Sequence, residues 1–244
     1  MSRVVIFGAT SAIAQAFTRL LAQKGATFHL VARNEPDLTA IAADLRVRGA
    51  PQVTTRAADL ADIDALGSLC DEAVDRLGGI DVALIAHGTL PDQVGLLASV
   101  PEALAAVRIN ALSPLAIALH LRSRMSAQGS GTIIILSSVA GDRGRPSNYL
   151  YGASKALLSV AGGGMAAEHK KTGIKILLIK PGFVDSPMTR QFRKGLLWSQ
   201  PHQVAQRIAA LLDAGKSGVY YVPGWWRWIM AIVRNVPNFV IARL

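Results

Sequence analysis

Seven short apolar runs alternate with longer helical stretches along this 244-residue chain, and that rhythm constrains the fold more than any other feature. The runs are 4–8, 27–32, 52–57, 80–86, 132–138, 175–179 and 218–222. The helical stretches are 12–23, 35–48, 63–77, 101–128, 149–171 and 201–214. Pro101 suits the first turn of its helix, where no backbone N–H is needed. The run at 80–86 is apolar almost throughout, so both of its faces must be covered. Strands of that kind, alternating with helices, build a parallel sheet with helices on both sides. The expected architecture is one doubly wound α/β domain around a seven-stranded parallel sheet. No Gly/Ser-rich or Pro-rich linker, low-complexity tract or internal repeat divides it. Two segments depart from the rhythm. Residues 183–200 are irregular and follow a strand end, where a substrate loop belongs; residues 225–244 form an aromatic, basic tail. The domain is expected over 1–224, with 225–244 as an added amphipathic segment.

Hydrophobic residues make up 51% of the chain and charged residues 17%, which excludes disorder and requires a large core. The net charge of +10 is unevenly placed. Residues 1–120 carry 9 basic and 12 acidic groups, whereas 121–244 carry 17 basic and 4 acidic. A basic half points to an anionic partner, namely nucleic acid, a phosphorylated substrate or a lipid headgroup layer, or else to a solvated face. The lone Cys70 excludes an internal disulfide and fits packing in a reducing compartment. The first apolar run is too short for a signal peptide, and no run of ~18 apolar residues offers a bilayer-spanning helix. A cytoplasmic location is expected.

The first strand leads into Gly8-Ala9-Thr10-Ser11-Ala12-Ile13-Ala14 and then a helix. Small residues there let the backbone approach a pyrophosphate at a helix N-terminus, where free N–H groups and the helix dipole favour negative charge. Only Gly8 is a glycine; Ala12 and Ala14 stand where dinucleotide-binding loops usually have glycine, and a plain structural turn would account for the stretch as well. The second strand breaks the tie. An acidic residue at its end would bind a ribose 2′-hydroxyl, whereas an arginine accommodates a 2′-phosphate. The chain has Val31-Ala32-Arg33-Asn34, so NADP is expected over NAD, with a merely solvated Arg33 as the alternative.

Tyr151 and Lys155 lie four residues apart and share one helix face. A phenol of pKa about 10 is a poor acid at neutral pH unless a cation stabilises its phenolate, so the pair reads as a proton donor tuned by the lysine. Tyr149, six residues from Lys155, faces elsewhere. Ser138, thirteen residues before Tyr151 at the end of the fifth run, can hold a carbonyl oxygen; Ser137 should point the opposite way. His29, His87, His120, His169 and His202 have none of the spacings of a zinc site, and no metal is expected.

With Ser138, Tyr151 and Lys155 in this spacing, the chain resembles the short-chain dehydrogenase/reductase family over nearly its whole length, which implies a Rossmann fold. The resemblance makes Asn110, in Ile109-Asn110-Ala111, the fourth catalytic residue, extending a proton relay behind the lysine through a water. It places Asp59, in Ala58-Asp59-Leu60, at the adenine, and Pro181-Gly182-Phe183-Val184-Asp185-Ser186-Pro187-Met188 at the nicotinamide. Ala86-His87-Gly88 stands where Asn-Ala-Gly is common; this departure and the loop alanines are expected to alter packing without losing binding. The implied cofactor site is Gly8, Thr10, Ser11, Ala12, Ile13, Arg33, Asp59, Leu60, Ala86, His87, Gly88, Tyr151, Lys155, Pro181, Gly182, Val184 and Ser186. The implied activity is reversible hydride transfer between a nicotinamide and a carbonyl or secondary alcohol. Tyr151 donates the proton, Ser138 orients the oxygen, and Lys155 lowers the Tyr151 pKa and binds the nicotinamide ribose. Family members usually pair through their two long helices, here 101–128 and 149–171, implying a homodimer or tetramer.

On a helix, Arg227, Ala231, Arg234 and Asn238 form one narrow stripe of the tail and nearly all the rest is apolar. Pro237 kinks or restarts that helix. The segment suits a membrane interface, with tryptophans at headgroup depth and arginines on phosphates; a helix buried in a subunit interface is the alternative. Through Tyr221-Val222-Pro223-Gly224-Trp225-Trp226-Arg227-Trp228-Ile229-Met230, Val236-Pro237 and Arg243-Leu244 it is similar to the ends of membrane-associated reductases of the decaprenylphosphoryl-2-keto-erythropentose reductase type. Those enzymes serve bacterial cell-envelope polysaccharide synthesis, so the similarity implies a ketosugar linked to polyprenyl phosphate. It also implies an anionic membrane surface, on the cytoplasmic face of the inner membrane, as partner. Arg143, Arg145, Arg190, Arg193 and Lys194 supply cations near the substrate loop. Two rivals are a soluble NADPH carbonyl reductase for small ketones or acyl thioesters, and a non-catalytic NADP-binding sensor or scaffold. Nucleic acid drops out, because no recognition motif accompanies the charge.

Overall fold

The computed structural model describes residues 2–241. Its strands are β1 (Arg3–Phe7), β2 (Thr27–Ala32), β3 (Val53–Ala57), β4 (Val82–Ile85), β5 (Gly131–Leu136), β6 (Ile174–Pro181), β7 (Phe183–Val184), β8 (Trp198–Ser199) and β9 (Gly218–Val222). Seven of them form one parallel sheet in the order β3-β2-β1-β4-β5-β6-β9, as the alternating pattern required, while β7 and β8 make a separate small pair. The helices are α1 (Ala12–Ala22), α2 (Glu35–Val47), α3 (Leu66–Leu77), α4 (Gln93–Leu97), α5 (Val100–Val107), α6 (Ser113–Gln128), α7 (Tyr149–Ala167), α8 (His169–Thr172), α9 (Pro201–Asp213), α10 (Trp226–Asn235) and α11 (Asn238–Ile241).

Side chains alternate across each strand, so β1 sends Val4 and Ile6 into one apolar layer and Val5 and Phe7 into the other. The first layer is closed by Phe17 and Leu21 of α1, Leu38 and Leu45 of α2, and Ile208 of α9. The second is closed by Leu69 and Cys70 of α3, Ile117 and Leu121 of α6, and Leu158 of α7. Burial pushes the Cys70 thiol up to about 12, so it packs there as an inert apolar group. Residues Val100–Gln128 reach a mean hydropathy of 1.5, enough by length and composition to cross a membrane. Ile117, Ala118, Leu121 and Met125 of this stretch are buried against the sheet, so its α6 part is a core helix of the domain.

Several local departures from the sequence pattern occur, most of them at the site. The stretch 101–128 is not one regular helix: a π-helical turn at Arg108–Leu112 separates α5 from α6, and it carries Asn110. Such turns re-aim the side chains within them and persist where a side chain is held; Asn110 Oδ1 accepts the Thr89 amide at 2.8 Å. β5 ends at Leu136, two residues early, because Ser138 leaves the sheet to start a 3-10 turn, Val139–Asp142, its Oγ accepting the Ala140 amide at 3.1 Å. The stretch 149–171 breaks at Glu168 into α7 and α8. Residues 183–200 contain β7, a 3-10 turn at Pro187–Thr189 and β8, and α4 is a helix that no periodicity announced. In the tail, Val236 and Pro237 separate α10 from α11.

Candidate active site

β1 and β4 are neighbours in the sheet but not in sequence, and chains that diverge at such a point leave a crevice beyond their carboxyl ends. Gly8 follows β1 there with φ +87°, its amide bonded to the Val31 carbonyl at 2.8 Å. A Cβ at Gly8 would lie 2.5 Å from the His87 backbone nitrogen, so the two loops can approach this closely only with glycine. Ser11 at the start of α1 makes no side-chain cap, leaving the first-turn N–H groups for a ligand. Beyond β2, Asn34 is committed to capping α2 through the Asp37 amide, and exposed Arg33 stands at the rim. Asp59 Oδ1 accepts the Ala61 amide at 3.0 Å and Leu60 beside it is buried.

These loops border a cleft of about 1140 Å³, and every residue named from the sequence as catalytic or cofactor-binding lines it. Gly8, Thr10, Ser11, Ala12, Ile13, Arg33, Asp59 and Leu60 form one end. Ala86, His87, Gly88, Asn110, Ser138, Tyr151, Lys155, Pro181, Gly182, Val184 and Ser186 form the other. The Gly8–His87 approach, the free amides of α1 and a cationic rim fit a phosphate-rich dinucleotide. Among the described residues no group of three His, Cys, Asp or Glu is placed to hold a metal.

At the inner end, Lys155 Nζ lies 5.6 Å from the Tyr151 ring centroid and donates to the Leu136 carbonyl at 3.2 Å. Ser137 also borders the cleft, but its hydroxyl is engaged with α7, bonding the Lys155 carbonyl at 2.9 Å and Ser159 at 3.0 Å, and so pins α7 to the end of β5. A Cβ at Gly88 would lie 2.7 Å from Asn110 Oδ1 and 3.7 Å from Lys155 Nζ, which places both polar groups over one glycine. Burial pushes the Tyr151 phenol up to about 12, with the Ser138 hydroxyl pulling the other way, and pushes the Lys155 ammonium down to about 8. This corrects the expected electrostatics: within the protein alone, desolvation outweighs the help that the lysine was expected to give the phenolate. Burial, and then the Lys155 charge, push His87 down to about 3, leaving a neutral ring whose Nε2 meets Ser113 Oγ at 2.9 Å. Tyr149 is exposed and outside the cleft lining.

The outer wall holds Phe183, from the stretch expected at the nicotinamide, and groups that no motif flagged: Thr89, Gln93 and Trp198. Trp198 falls in the irregular stretch after β6, which was the only signal for it. The five basic residues near this wall separate clearly. Arg143 donates to the Val236 carbonyl at 3.1 Å and to Asn238, and Lys194 is held by Asp185 at 3.0 Å. Arg190 does not line the cleft, whereas Arg145 and Arg193 do. Burial lowers the Arg145 pKa, and no carboxylate among the described residues pairs with either guanidinium.

A family model described as short chain dehydrogenase matches residues 2–196. An uncharacterized oxidoreductase of Mycobacterium tuberculosis (strain ATCC 25618 / H37Rv) is 37% identical over 241 residues, 99% of this chain and 96% of the relative. One from Streptomyces coelicolor is 32% identical over 246 residues, 99% of this chain and 95% of the relative. Among solved structures, levodione reductase shares the fold with a TM-score of 0.82 at 24% identity, covering 91% of this chain and 96% of its own. A variant of actinorhodin polyketide ketoreductase crystallised with NADPH shares it with a TM-score of 0.80 at 23% identity, covering 92% and 97%.

Proposed function

The chain belongs to the short-chain dehydrogenase family, and on that premise we propose an NADPH-dependent reductase in which Tyr151 gives a proton to the oxygen of a substrate ketone. The observation that carries this reading is convergence: Ser138, Tyr151, Lys155 and Asn110 line the inner end of the same cleft whose outer end is bordered by the α1 amides and Arg33. The α1 amides would hold the pyrophosphate, Arg33 the 2′-phosphate, Asp59 and Leu60 the adenine, and 86–88 with 181–186 the nicotinamide. When bound, NADPH supplies the hydride that the carbonyl carbon receives.

The chain's own residues handle the oxygen and its proton. The Ser138 hydroxyl donates to the carbonyl oxygen and fixes its direction. The Tyr151 phenol, which burial holds in its protonated form, is the proton donor. The Lys155 ammonium, still largely charged at neutral pH, stabilises the phenolate left behind. Asn110, beside Lys155 over Gly88, extends the route by which Tyr151 is reprotonated.

For the substrate, we favour a ketosugar linked to a polyprenyl phosphate in cell-envelope polysaccharide synthesis. Arg145 and Arg193 in the cleft, with no carboxylate partner among the described residues, support an anionic group, and Phe183, Phe192 and Trp198 support an apolar portion. Residues 1–224 form the catalytic domain in this reading, and 225–244 the membrane-association segment; Arg243 and Leu244 lie outside the described residues. The tail presents exposed Trp228, Ile232 and Phe239, which supports contact with an anionic membrane, on the cytoplasmic face of the inner membrane in this reading. Exposed Leu104 and Leu119, with Val160, support pairing of subunits through α5–α6 and α7, giving a homodimer or tetramer. The test is NADPH oxidation with a polyprenyl-phosphate ketopentose against simple ketones. Tyr151→Phe should lower turnover by about 10²–10⁴-fold while NADPH binding survives; near-normal turnover would sink the assignment. Preference for a simple ketone or acyl thioester would replace the substrate, and no ketone-dependent oxidation at all would leave the NADP sensor or scaffold.

A further inference from the structure

Behind the cleft, three polar side chains from three segments meet, a buried ion pair and a half-buried tyrosine. Asp142 closes the 3-10 turn that Ser138 opens, Lys180 directly precedes Pro181 and Gly182, and Tyr221 belongs to β9. The Lys180 ammonium pairs with Asp142 Oδ1, and the Tyr221 hydroxyl donates to Asp142 Oδ2 at 2.6 Å. The two charged side chains keep only 8% and 3% of their surface exposed. None of the three lines the cleft. A buried ion pair is weak evidence of stability, since apolar residues of similar volume often serve as well. Its place in the fold gives it another meaning.

The turn carrying Asp142 sits directly on α7: a Cβ at Gly141 would lie 2.6 Å from the Lys155 carbonyl carbon. On the opposite side, Trp226 of α10 rests on Gly182, where any Cβ would overlap its indole. Trp226 and Met230 also bury against Val139, next to Ser138, and Phe183 meets Trp226 edge-on with centroids 5.3 Å apart. The C-terminal elements β9 and α10 therefore touch both walls of the reacting end, the turn after Ser138 and the end of β6.

We propose that Asp142, Lys180 and Tyr221 are positioning residues that set the gap between Ser138 and the Pro181-Gly182 stretch, with Trp226 as the outer clamp. The inference rests on the reductase reading of this cleft. A misplacement of about 1 Å at a reacting centre costs on the order of 10²-fold in rate, so a device that sets this gap acts on turnover more than on cofactor affinity.

Two variants separate positioning from bulk stability. Asp142→Leu with Lys180→Met removes both ions together and orphans neither, whereas Tyr221→Phe removes only the hydroxyl. Both should stay folded and bind NADPH as the wild type does. Single-turnover ketone reduction should fall at least about tenfold in the double variant and several-fold in Tyr221→Phe. Amide hydrogen exchange, measured without cofactor, should quicken at 139–142 and 180–183 in both. Unchanged single-turnover rates in a folded variant, or unchanged exchange in those two stretches, would overturn the proposal. If the double variant does not fold, Tyr221→Phe decides by the same two measurements. A wild type that reduces no ketone defeats the reductase reading instead, and the exchange data then decide alone whether the trio couples the two walls.

Discussion

Lys155 Nζ lies 5.6 Å from the centroid of the Tyr151 ring, yet its hydrogen bond goes to the backbone carbonyl of Leu136. The cation is thus tethered to the end of β5, within electrostatic reach of the phenol without being bonded to it. Burial holds the Lys155 pKa at about 8 against an ordinary 10.5. Ketone reduction needs that positive charge, so kcat/KM should decline as pH rises through about 8. Stability moves the opposite way: the cost of the buried ammonium is fully present below about 8 and is relieved as pH climbs from there towards 10.5. Lys155→Met should therefore melt higher than wild type at neutral pH while losing turnover. A rate flat to pH 10 in the wild type, or a lower melting temperature in the variant, would count against this account.

His87 gives the acid-side counterpart. Its folded pKa of about 3 against an ordinary 6.5 means that the unfolded chain takes up a proton first as pH falls. The stability tied to the neutral ring is complete above 6.5 and is lost as pH drops towards 3. His87→Asn should lose less melting temperature between about pH 7 and about pH 5 than the wild type does. Buried His29, also shifted down by desolvation, contributes equally to both proteins and leaves the difference intact. Thermal scans at the two pH values give the comparison directly.

Arg33 is the rim cation at the nucleotide end, because Asn34 beside it is occupied in capping α2. Arg33→Ala should weaken NADPH binding by roughly 10–100-fold, the worth of a charge-assisted contact to a phosphate, and leave NADH binding nearly unchanged. Titration of both cofactors against both proteins checks it; equal losses for the two would point to a structural effect of the arginine.

The tail has two faces with separate tasks. Trp226 and Met230 are buried against Val139, while Trp228, Ile232 and Phe239 are exposed. Trp228→Glu with Ile232→Glu should abolish flotation with anionic vesicles and leave turnover of a water-soluble ketone unchanged. Deleting 225–244 should abolish both, because it also uncovers Gly182. Flotation that survives the double substitution would remove the membrane from the account, and vesicle binding that ignores salt would remove the arginines from it.

Much of the site was legible before any tertiary contact was known. Tyr151 and Lys155 share a helix face because a four-residue step is nearly one turn, and Gly8 falls at a loop because it follows an apolar run that must be a strand. The π-helical turn at Asn110 was not read from the sequence, although Pro114, which has no backbone N–H to give the carbonyl four residues before it, marks a break inside 101–128. Neither was the early end of β5, because Ser137 and Ser138 follow the apolar run with no Gly or Pro to break it. The narrow stripe read from Arg227, Ala231, Arg234 and Asn238 holds only for its first three residues, since α10 ends at Asn235 and Asn238 belongs to α11, and it could not say that one apolar side of the helix was already taken by Val139.

By itself, then, the sequence determined the order of strands and helices, the two-faced burial of the sheet and the spacing of the catalytic side chains. These are consequences of local periods of two and 3.6 residues. Only the tertiary structure decided that Lys180 neutralises Asp142, that Arg143 is committed to the tail while Arg145 lines the cleft, and that Trp226 rests on Gly182. Those outcomes depend on which distant segments meet and which charges lose their water on meeting, and no local period carries that information.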